Sequence, residues 1–485
     1  DYAIPYGTNP VKVEGISLVT QLANTGGDPP PSEVRRIALG EMNSRGVDRP
    51  NELLASPTTA LVLAVGYLHP GIRKGERFDI RLEVPPRDPT TSLRGGWLME
   101  TRLTDMQILE GRIVEGRVFG LAAGPVMVDP AADEKNHPEM LLRGYVPGGG
   151  VSTKDRDLGL MLKEELQDAR TSDMLAKTIN ARFHLYVKGT QQGVGTAKTD
   201  KYVELKVHPR YKDNVARYIA VVRSIAIAET APQRAKRLKS LERQFMDPIT
   251  SARASIKLEA MGREAIHVLR KGIASDNEEV RFYSAEALAY LDDDAAAKPL
   301  AEAARLEPAF RANALTALSA MKDVSAYDEL RKLLDVPSAE TRYGAFRALW
   351  TMEPTDPKVR GEGINGKFSY HVIDTSGPPM IHVTSTFRPE VVLFGREHRF
   401  SSPCALDAGS SLVVRVNPSG DVTISKLAPD KPVEKLTVAN DVDAVIHAMA
   451  QLGGNYCDIV QMLQSAKAKQ SLASRFEVDA LPRGG

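Results

Sequence analysis

The sequence predicts an α+β protein in which β-rich segments flank an inserted all-α helical repeat. Runs of β-branched residues are common before residue 231 and after residue 356, and they do not alternate strictly with helical patterns as βαβα units. Between these positions the composition shifts to alanine, leucine, glutamate and arginine. This middle segment also resembles itself when shifted by about 30 residues. Together these observations divide the chain into predicted domains at 1–143, 144–230, 231–356 and 357–485.

The first predicted domain is rich in strands. Residues 77–84 place apolar side chains at alternate positions, as a half-buried strand does, and 58–67 form a second strand-like run. Two further strand-like runs are joined through Gly95 and Gly96. Paired glycines permit a positive φ or a close approach of another backbone. We interpret Gly95 and Gly96 as a tight bend with a packing role.

The second predicted domain mixes helices and strands. Residues 157–183 carry leucine, methionine and isoleucine at roughly helical spacing, which predicts two helices broken near Thr171. The glycine-rich stretch 189–196 is faintly similar to a phosphate-binding loop. It lacks the lysine of such a loop and lies between strands, whereas a phosphate loop opens a helix. We therefore predict a hairpin turn there.

The third predicted domain is built from about three and a half helical units. Each unit carries a leucine in its first helix, and these leucines are Leu258, Leu288, Leu318 and Leu349. A methionine or leucine follows three residues later, at Met261, Leu291, Met321 and Met352. A further leucine marks the second helix of the first three units, at Leu269, Leu300 and Leu330. Such antiparallel helix pairs bury their apolar faces only by stacking. An arginine at the start of three units, Arg281, Arg311 or Arg342, is expected to tie neighbouring units together. The pattern resembles short bacterial HEAT-like repeats, which implies a module that binds a protein partner.

The last predicted domain returns to strands and ends in a helix pair, over 440–452 and 458–469, followed by a closing strand. It contains the two cysteines of the chain, Cys404 and Cys457. They are a candidate disulfide pair in an exported protein, although sequence does not show whether their Cα atoms lie close enough. Both the bonded and the free state remain open at this point.

Composition excludes several classes of function. The net charge of +1 implies no global attraction to nucleic acid or to an anionic membrane, and the longest apolar run, 59–68, is too short to span a bilayer. The nine histidines lack the spacing of metal ligands, and there is no CxxC or GxSxG motif. We therefore expect no catalytic residues, no cofactor and no metal. Because the numbering begins at Asp1, we also expect that an export leader has been removed or is left out of the numbering.

Several segments, in order, resemble one protein family. The most recognisable contains Ser92, Leu93, Gly95 and Gly96, followed by Thr101, and is similar to a family motif written SLxGGxLLxTPL. The others are a glycine-rich opening, a GxxFDI strand, a GLAAG strand, a helical segment and a C-terminal ending, at 15–28, 75–81, 118–124, 160–180 and 442–478. With the helical repeat set aside as an insertion, the flanking parts resemble the flagellar P-ring protein family. Departures include Arg102 in place of the motif proline.

The resemblance implies a structural subunit that assembles into a homo-oligomeric ring in the periplasm, around the rod of the flagellar basal body, and supports motility. It also implies contacts with flagellar rod proteins, with the outer-membrane ring and with peptidoglycan. The partner of the helical repeat is not named by the resemblance. Two alternatives remain: a non-flagellar scaffold of the cell envelope whose repeat binds a protein, and an enzyme acting on cell-wall or nucleotide substrates from scattered residues.

Overall fold

The computed structural model describes residues 2–109, 112–129, 137–366, 368–386, 388–409, 411–427 and 432–481, without the side chains of 106–109 and 112–115. The described chain forms two compact bodies. Residues 10–155 and 361–479 make up one, called the barrel body, and 2–9, 156–360 and 480–481 make up the other, called the repeat body. The division of the sequence into four domains stays a prediction. Among the described residues, no helix combines the length and apolarity needed to cross a membrane.

The chain up to residue 155 contains seven strands and three helices among its described residues. They are β1 Ala3–Tyr6, β2 Val11–Thr20, α1 Glu33–Ser44, α2 Pro50–Leu54, β3 Ala60–Leu68, β4 Arg77–Glu83, β5 Trp97–Leu109, β6 Arg112–Pro125, α3 Pro138–Leu141 and β7 Arg143–Ser152. Strands β2 to β7 close into a barrel in the order β2-β3-β4-β7-β6-β5. The predicted strands over 58–67 and 77–84 are therefore present as β3 and β4.

The core of the barrel is organised around Phe78, which is 1% exposed. Three strands bring a glycine against its ring. A Cβ built on Gly66, Gly120 or Gly150 would lie 2.6, 3.0 or 2.7 Å from the nearest ring atom. Because real Cβ contacts are longer, any larger side chain at these positions would displace the ring. Because these three residues are glycines, the barrel core has room for Phe78, its largest side chain.

The next segment contains five strands and ten helices. They are β8 Leu158–Leu162, α4 Ala169–Arg182, β9 His184–Val187, β10 Thr190–Gly193, β11 Gly195–Ala197, β12 Tyr202–Leu205, α5 Val215–Arg223, α6 Ala231–Phe245, α7 Pro248–Met261, α8 Ile266–Ile273, α9 Glu278–Tyr290, α10 Ala297–Leu306, α11 Pro308–Ala320, α12 Val324–Leu333 and α13 Ala339–Met352. Strands β1, β8, β12 and β11 form one sheet in that order, and β9 pairs with β10. The hairpin predicted over 189–196 is present, with its turn at Lys188 and Gly189, both at positive φ.

The prediction of two helices over 157–183 is half wrong. The second helix exists as α4, which Asp168 caps by accepting the Thr171 amide at 2.9 Å. The first is the strand β8, whose buried Leu158, Leu160 and Leu162 alternate with residues on the other face. β8 pairs with β1 and β12, which lie far away in the sequence. This pairing favours a strand here, although the local spacing of apolar residues favours a helix.

The predicted helical repeat is confirmed. All four leucine markers at the first position are at most 1% exposed, and the markers of the second helix, Leu269, Leu300 and Leu330, are fully buried. The repeated arginines bind backbone carbonyl oxygens at the end of the preceding helix: Arg311 donates to the Ala304 oxygen at 3.1 Å, and Arg342 to the Leu334 oxygen at 2.8 Å. Arg281 donates to the Ser275 oxygen at 2.8 Å. These arginines tie consecutive units together, as the sequence suggested.

The last described segment completes the barrel body. It contains β13 Glu362–Ile364, β14 Phe368–Ile373, β15 Met380–Val383, β16 Glu390–Phe394, β17 Cys404–Ala408, β18 Leu412–Val416, β19 Asp421–Lys426, β20 Glu434–Ala439, α14 Val442–Gln451, α15 Tyr456–Ala468 and β21 Arg475–Val478. A five-stranded sheet runs in the order β13-β14-β16-β15-β21, and a four-stranded sheet runs in the order β17-β18-β19-β20. Both sheets share one apolar core with α14 and α15, and Met127 from the first segment packs into that core.

Candidate functional site

The bend at Gly95 and Gly96 needs glycine at each position for a different reason. Gly95 has a φ of 74°, a conformation that residues with a Cβ rarely adopt. At Gly96 the constraint is space, because a Cβ there would lie 2.2 Å from Val19 Cγ1 and 2.9 Å from Leu22 Cδ2. The bend therefore presses directly against the end of β2 and the loop that follows it.

Backbone hydrogen bonds hold the motif in place. The Leu93 amide donates to the Leu141 oxygen at 2.9 Å, and the Gly96 amide donates to the Leu93 oxygen at 3.1 Å. The Thr91 amide donates to the Thr25 oxygen at 2.7 Å. Since protein oxygens already occupy these amides, they are not available to cradle an anionic ligand. The geometry agrees with a packing role for the bend.

The remaining motif residues are buried against the glycine-rich opening segment. The Thr25 hydroxyl donates to the Ser92 carbonyl oxygen at 2.6 Å. Thr101 is 3% exposed and donates to the Met99 oxygen at 2.8 Å. A Cβ on Gly15 would lie 2.7 Å from Thr101 Cγ2, so β2 and β5 approach closely only because residue 15 is glycine. The structure thus brings together two of the segments that carried the resemblance, the opening segment and the SLxGGxL-like motif.

A buried ionic network in the repeat body was not predicted from the sequence. Arg217 on α5 pairs with Glu259 on α7 at 2.6 Å and with Glu286 on α9 at 2.5 Å. All three side chains are at most 7% exposed. The Tyr211 hydroxyl donates to Glu259 at 2.6 Å, and the Tyr290 ring lies under the Arg217 guanidinium at 4.8 Å. One cation is therefore shared between two buried carboxylates.

Burial dominates the electrostatics of this network. It raises the pKa of the Glu286 carboxyl, and the nearby Arg217 counteracts the shift only in part. Burial lowers the pKa of Arg217, but Glu259 and Glu286 together outweigh that effect, so the pKa of the guanidinium is raised and it stays charged. No single residue revealed the network in the sequence, because Glu259 and Glu286 occupy helix positions that otherwise resemble solvated surface.

A groove of 1790 Å³ runs along one edge of the repeat body. The loops between the two helices of successive repeat units line it, together with β9 and the segment 208–212. Tyr186 on β9 is 72% exposed there. His208, which also lines the groove, has its pKa lowered by burial to about 4, so it is neutral at neutral pH. The groove offers aromatic and charged side chains and one strand to an incoming partner.

Comparison with known proteins bears directly on the first half of the chain. Residues 1–236 match the family model described as flagellar P-ring protein. Residues 1–236 are therefore similar to the flagellar P-ring family. The region with this P-ring match includes the barrel, the bend at Gly95 and Gly96, and α5. A second model, HEAT repeats, matches residues 266–350.

A curated P-ring relative supports the same assignment. The flagellar P-ring protein of Nitratidesulfovibrio vulgaris is 26% identical over 248 residues, which cover 48% of this chain and 62% of the relative. The chain thus spans about three fifths of the length of that relative. The resemblance of residues 442–478 to the P-ring ending lies outside the matched family region and stays a prediction.

The matched regions clarify what the buried network connects. Arg217 and the 3-10 helix that contains Tyr211 lie within the P-ring match, whereas Glu286 lies within the HEAT match. Glu259 lies between the two matched regions. The ionic network therefore fastens the first helices of the repeat to the last P-ring-like helix.

The candidate disulfide between Cys404 and Cys457 is not formed in the structure, where both are free thiols. Strand β17 and helix α15 lie side by side and run in opposite directions: Ser465 Oγ accepts the Asp407 amide at 3.2 Å, and Lys469 Nζ donates to the Ala405 oxygen at 2.7 Å. Cys404 therefore lies near the end of the helix, whereas Cys457 lies at its start. With a rise of about 1.5 Å per residue, this separation far exceeds the roughly 7 Å that a disulfide tolerates between Cα atoms.

We expect two thiols per chain when the protein, purified without reductant, is unfolded in denaturant and titrated with a thiol reagent. In the folded protein, Cys457 is expected to react slowly, because burial raises the pKa of its thiol and leaves little thiolate. A count of zero thiols in the unfolded, unreduced protein would show that the disulfide forms after all. A Cys457→Ser variant provides the one-thiol reference.

No group of three or more metal-binding side chains lies together in the described part of the chain. Two histidines occupy a buried sheet instead. His371 lies 3.5 Å from Glu390, and burial lowers the pKa of His382 to about 3. These side chains belong to the packing of β14, β15 and β16.

Proposed function

We propose that the protein is a structural subunit of a ring in the bacterial flagellar basal body, equivalent to the P ring, that lies in the periplasm around the rod. The observation that carries this proposal is the P-ring family match over residues 1–236. In this role the protein acts as a bushing, assembles with copies of itself, and contacts rod proteins, the outer-membrane ring and peptidoglycan. Motility depends on it through the completed basal body.

The construction of the barrel body supports a static, packed role. Leu93 and Gly96 at the bend are buried and hydrogen-bonded to backbone groups, and the aromatic core residue Phe78 is enclosed by glycines from three strands. A ring of identical subunits needs heterologous contacts whose rotation closes, and such contacts demand a subunit of fixed shape. A core without room for rearrangement meets this requirement.

The chain path supports the interpretation that the repeat is an insertion in a P-ring-like protein. The chain leaves the barrel body at residue 155 and returns to it at residue 361. Met127 from the first pass packs in the core made by the second pass. The segment predicted to resemble the P-ring ending therefore folds in the same body as the glycine motif.

Electron microscopy of basal bodies isolated from a deletion strain tests the proposal. Without the gene, we expect basal bodies that lack the ring around the rod and cells that do not swim. Expression of the wild-type chain restores both. Intact rings and normal swimming in the deletion strain would contradict the proposal.

A second candidate is a non-flagellar scaffold of the cell envelope whose repeat binds a protein. The HEAT match and the groove along the repeat favour it, because helical repeats commonly present extended surfaces to partners. The same deletion strain separates the candidates, since the scaffold role predicts intact rod rings. A gene position beside rod and hook genes would favour the flagellar role.

A further inference from the structure

The first two helices of the repeat body after residue 230 carry an uneven share of the positive charge. Residues 231–257 contain seven lysines and arginines but only two acidic residues, within a chain whose net charge is +1. The charge is therefore local to the hairpin formed by α6 and α7. A local cluster of cations creates a strong surface potential even on a nearly neutral protein.

The cations of α6 form a stripe on its exposed face. Lys236, Lys239 and Arg243 are exposed and follow one another at i, i+3 and i+7, which places them on one side of the helix. Leu241 and Phe245 lie on the opposite side and are at most 3% exposed. Packing of α6 on the rest of the repeat thus leaves the stripe facing solvent.

Helix α7 continues the pattern with an apolar end. Ile249, Arg253 and Lys257 are exposed at i, i+4 and i+8. Ile249 is 92% exposed, and Met246, in the turn between the helices, is 45% exposed. Both stripes reach the turn between α6 and α7, where the exposed apolar side chains of Met246 and Ile249 lie. This surface, made of residues 236–257, is called the basic corner below, and Met246 and Ile249 are called its apolar tip.

The acidic residues of the hairpin make their close contacts with groups outside the stripe cations. Glu242 binds Lys271 of α8 at 2.6 Å, and Asp247 caps α7 by accepting the Ile249 amide at 3.1 Å. Within the described part of the chain, no carboxylate lies within ion-pair distance of the five stripe cations, Lys236, Lys239, Arg243, Arg253 and Lys257. Arg234 and Arg237, on another side of α6, are paired with Glu264 and Glu229.

We propose that the basic corner binds the surface of a membrane that contains anionic lipid. Lysines and arginines near such a surface gain from the negative potential of the headgroups, and an exposed apolar tip gains by entering the interface between headgroups and acyl chains. A purely electrostatic partner would account for the cations but would give no role to the exposed side chain of Ile249. The combination of tip and stripes matches the two requirements of a peripheral membrane contact.

Co-sedimentation of the full-length protein with lipid vesicles tests the proposal. We expect binding to vesicles of phosphatidylcholine mixed with phosphatidylglycerol, no binding to phosphatidylcholine alone, and a steep loss of binding as salt is raised. Failure to sediment with the anionic vesicles would overturn the proposal. Binding of equal strength to both vesicle types would overturn the role of the cations.

Two variants separate the stripe from the tip. Lys236→Glu, Lys239→Glu and Arg243→Glu together are expected to weaken binding at least about hundredfold, since each cation near an anionic surface contributes about fivefold. Ile249→Asp is expected to weaken binding at least about tenfold, because an apolar side chain no longer enters the interface. All four residues are exposed, so we expect both variants to fold normally.

Matched control variants make the same types of substitution, with the same change in net charge, at exposed residues outside the basic corner. Lys298→Glu, Arg305→Glu and Lys322→Glu change three exposed cations elsewhere on the repeat body, and Val324→Asp replaces another exposed aliphatic residue, 71% exposed. These controls are expected to bind vesicles within about twofold of wild type. If the control triple weakens binding as much as the stripe triple, total charge and not the basic corner determines binding. That result would overturn the proposal.

Discussion

Replacement of Gly96 by valine is expected to lower the free energy of unfolding by about 3 kcal/mol or more and to abolish ring assembly. The first atom of the new side chain would lie 2.2 Å from Val19 Cγ1 and 3.1 Å from the Leu93 carbonyl oxygen. Val19 is fully buried, so it cannot swing into solvent to make room. The strand and the bend would have to separate. Urea denaturation of the purified protein, followed by circular dichroism, measures the shift.

Gly40→Val is the matched control in the same body. Gly40 lies on α1, and a Cβ there meets nothing within 4 Å. Because valine is no worse than glycine inside a helix, its stability is expected to stay within about 0.5 kcal/mol of wild type. Equal unfolding midpoints and equal oligomer sizes for the two variants would show that the bend matters less than its burial implies.

Replacement of Arg217 by leucine is expected to cost about 3 to 5 kcal/mol. The variant leaves Glu259 and Glu286 facing each other without their shared cation, and both carboxylates are at most 5% exposed. An uncompensated buried charge is far more costly than the loss of a surface pair. Unfolding of the repeat body, monitored by urea denaturation, should therefore shift to lower denaturant.

Arg270→Leu controls for the loss of an arginine that also faces two carboxylates. Arg270 pairs with Asp293 and Asp294 but is 54% exposed, so the expected cost is below about 1 kcal/mol.

The pH dependence of the stability of Arg217→Leu provides a second readout. Burial already raises the pKa of Glu286, and in Arg217→Leu the loss of the nearby cation raises this pKa further, so the folded state binds more protons than the unfolded chain. The stability deficit should therefore shrink as pH falls from 7 towards 5. A deficit that is independent of pH would contradict the assignment.

The helical repeat was predictable from sequence because its contacts are local. Leu258, Leu288 and Leu318 recur at nearly constant spacing, since each helix pair packs only on its neighbours and meets the same environment in every unit. The repeated arginines were predictable for the same reason. Each reaches the end of the helix just before it, as in Arg342 and Leu334.

The strand β8 was not predictable in this way. Leu158, Leu160 and Leu162 are buried on one face, yet together with the leucines and methionines of α4 they also satisfy a helical spacing. Only β1 and β12, which pair with β8 from either side, decide between the two periodicities. Strand pairing between distant segments leaves little trace in a local pattern.

The alternation of β-rich and helical segments, the repeat, and the bend at Gly95 and Gly96 could be predicted from the amino-acid sequence. Each of these follows from periodicity or from the conformational freedom of glycine, which are properties of a residue and its near neighbours. Three other facts come from the folded structure: Cys404 and Cys457 lie apart, Gly96 is required for space, and Arg217 bridges two buried carboxylates. Those facts depend on which residues, distant in the sequence, the fold brings within a few ångströms of one another. The distance in space between two residues cannot be read from their separation along the chain.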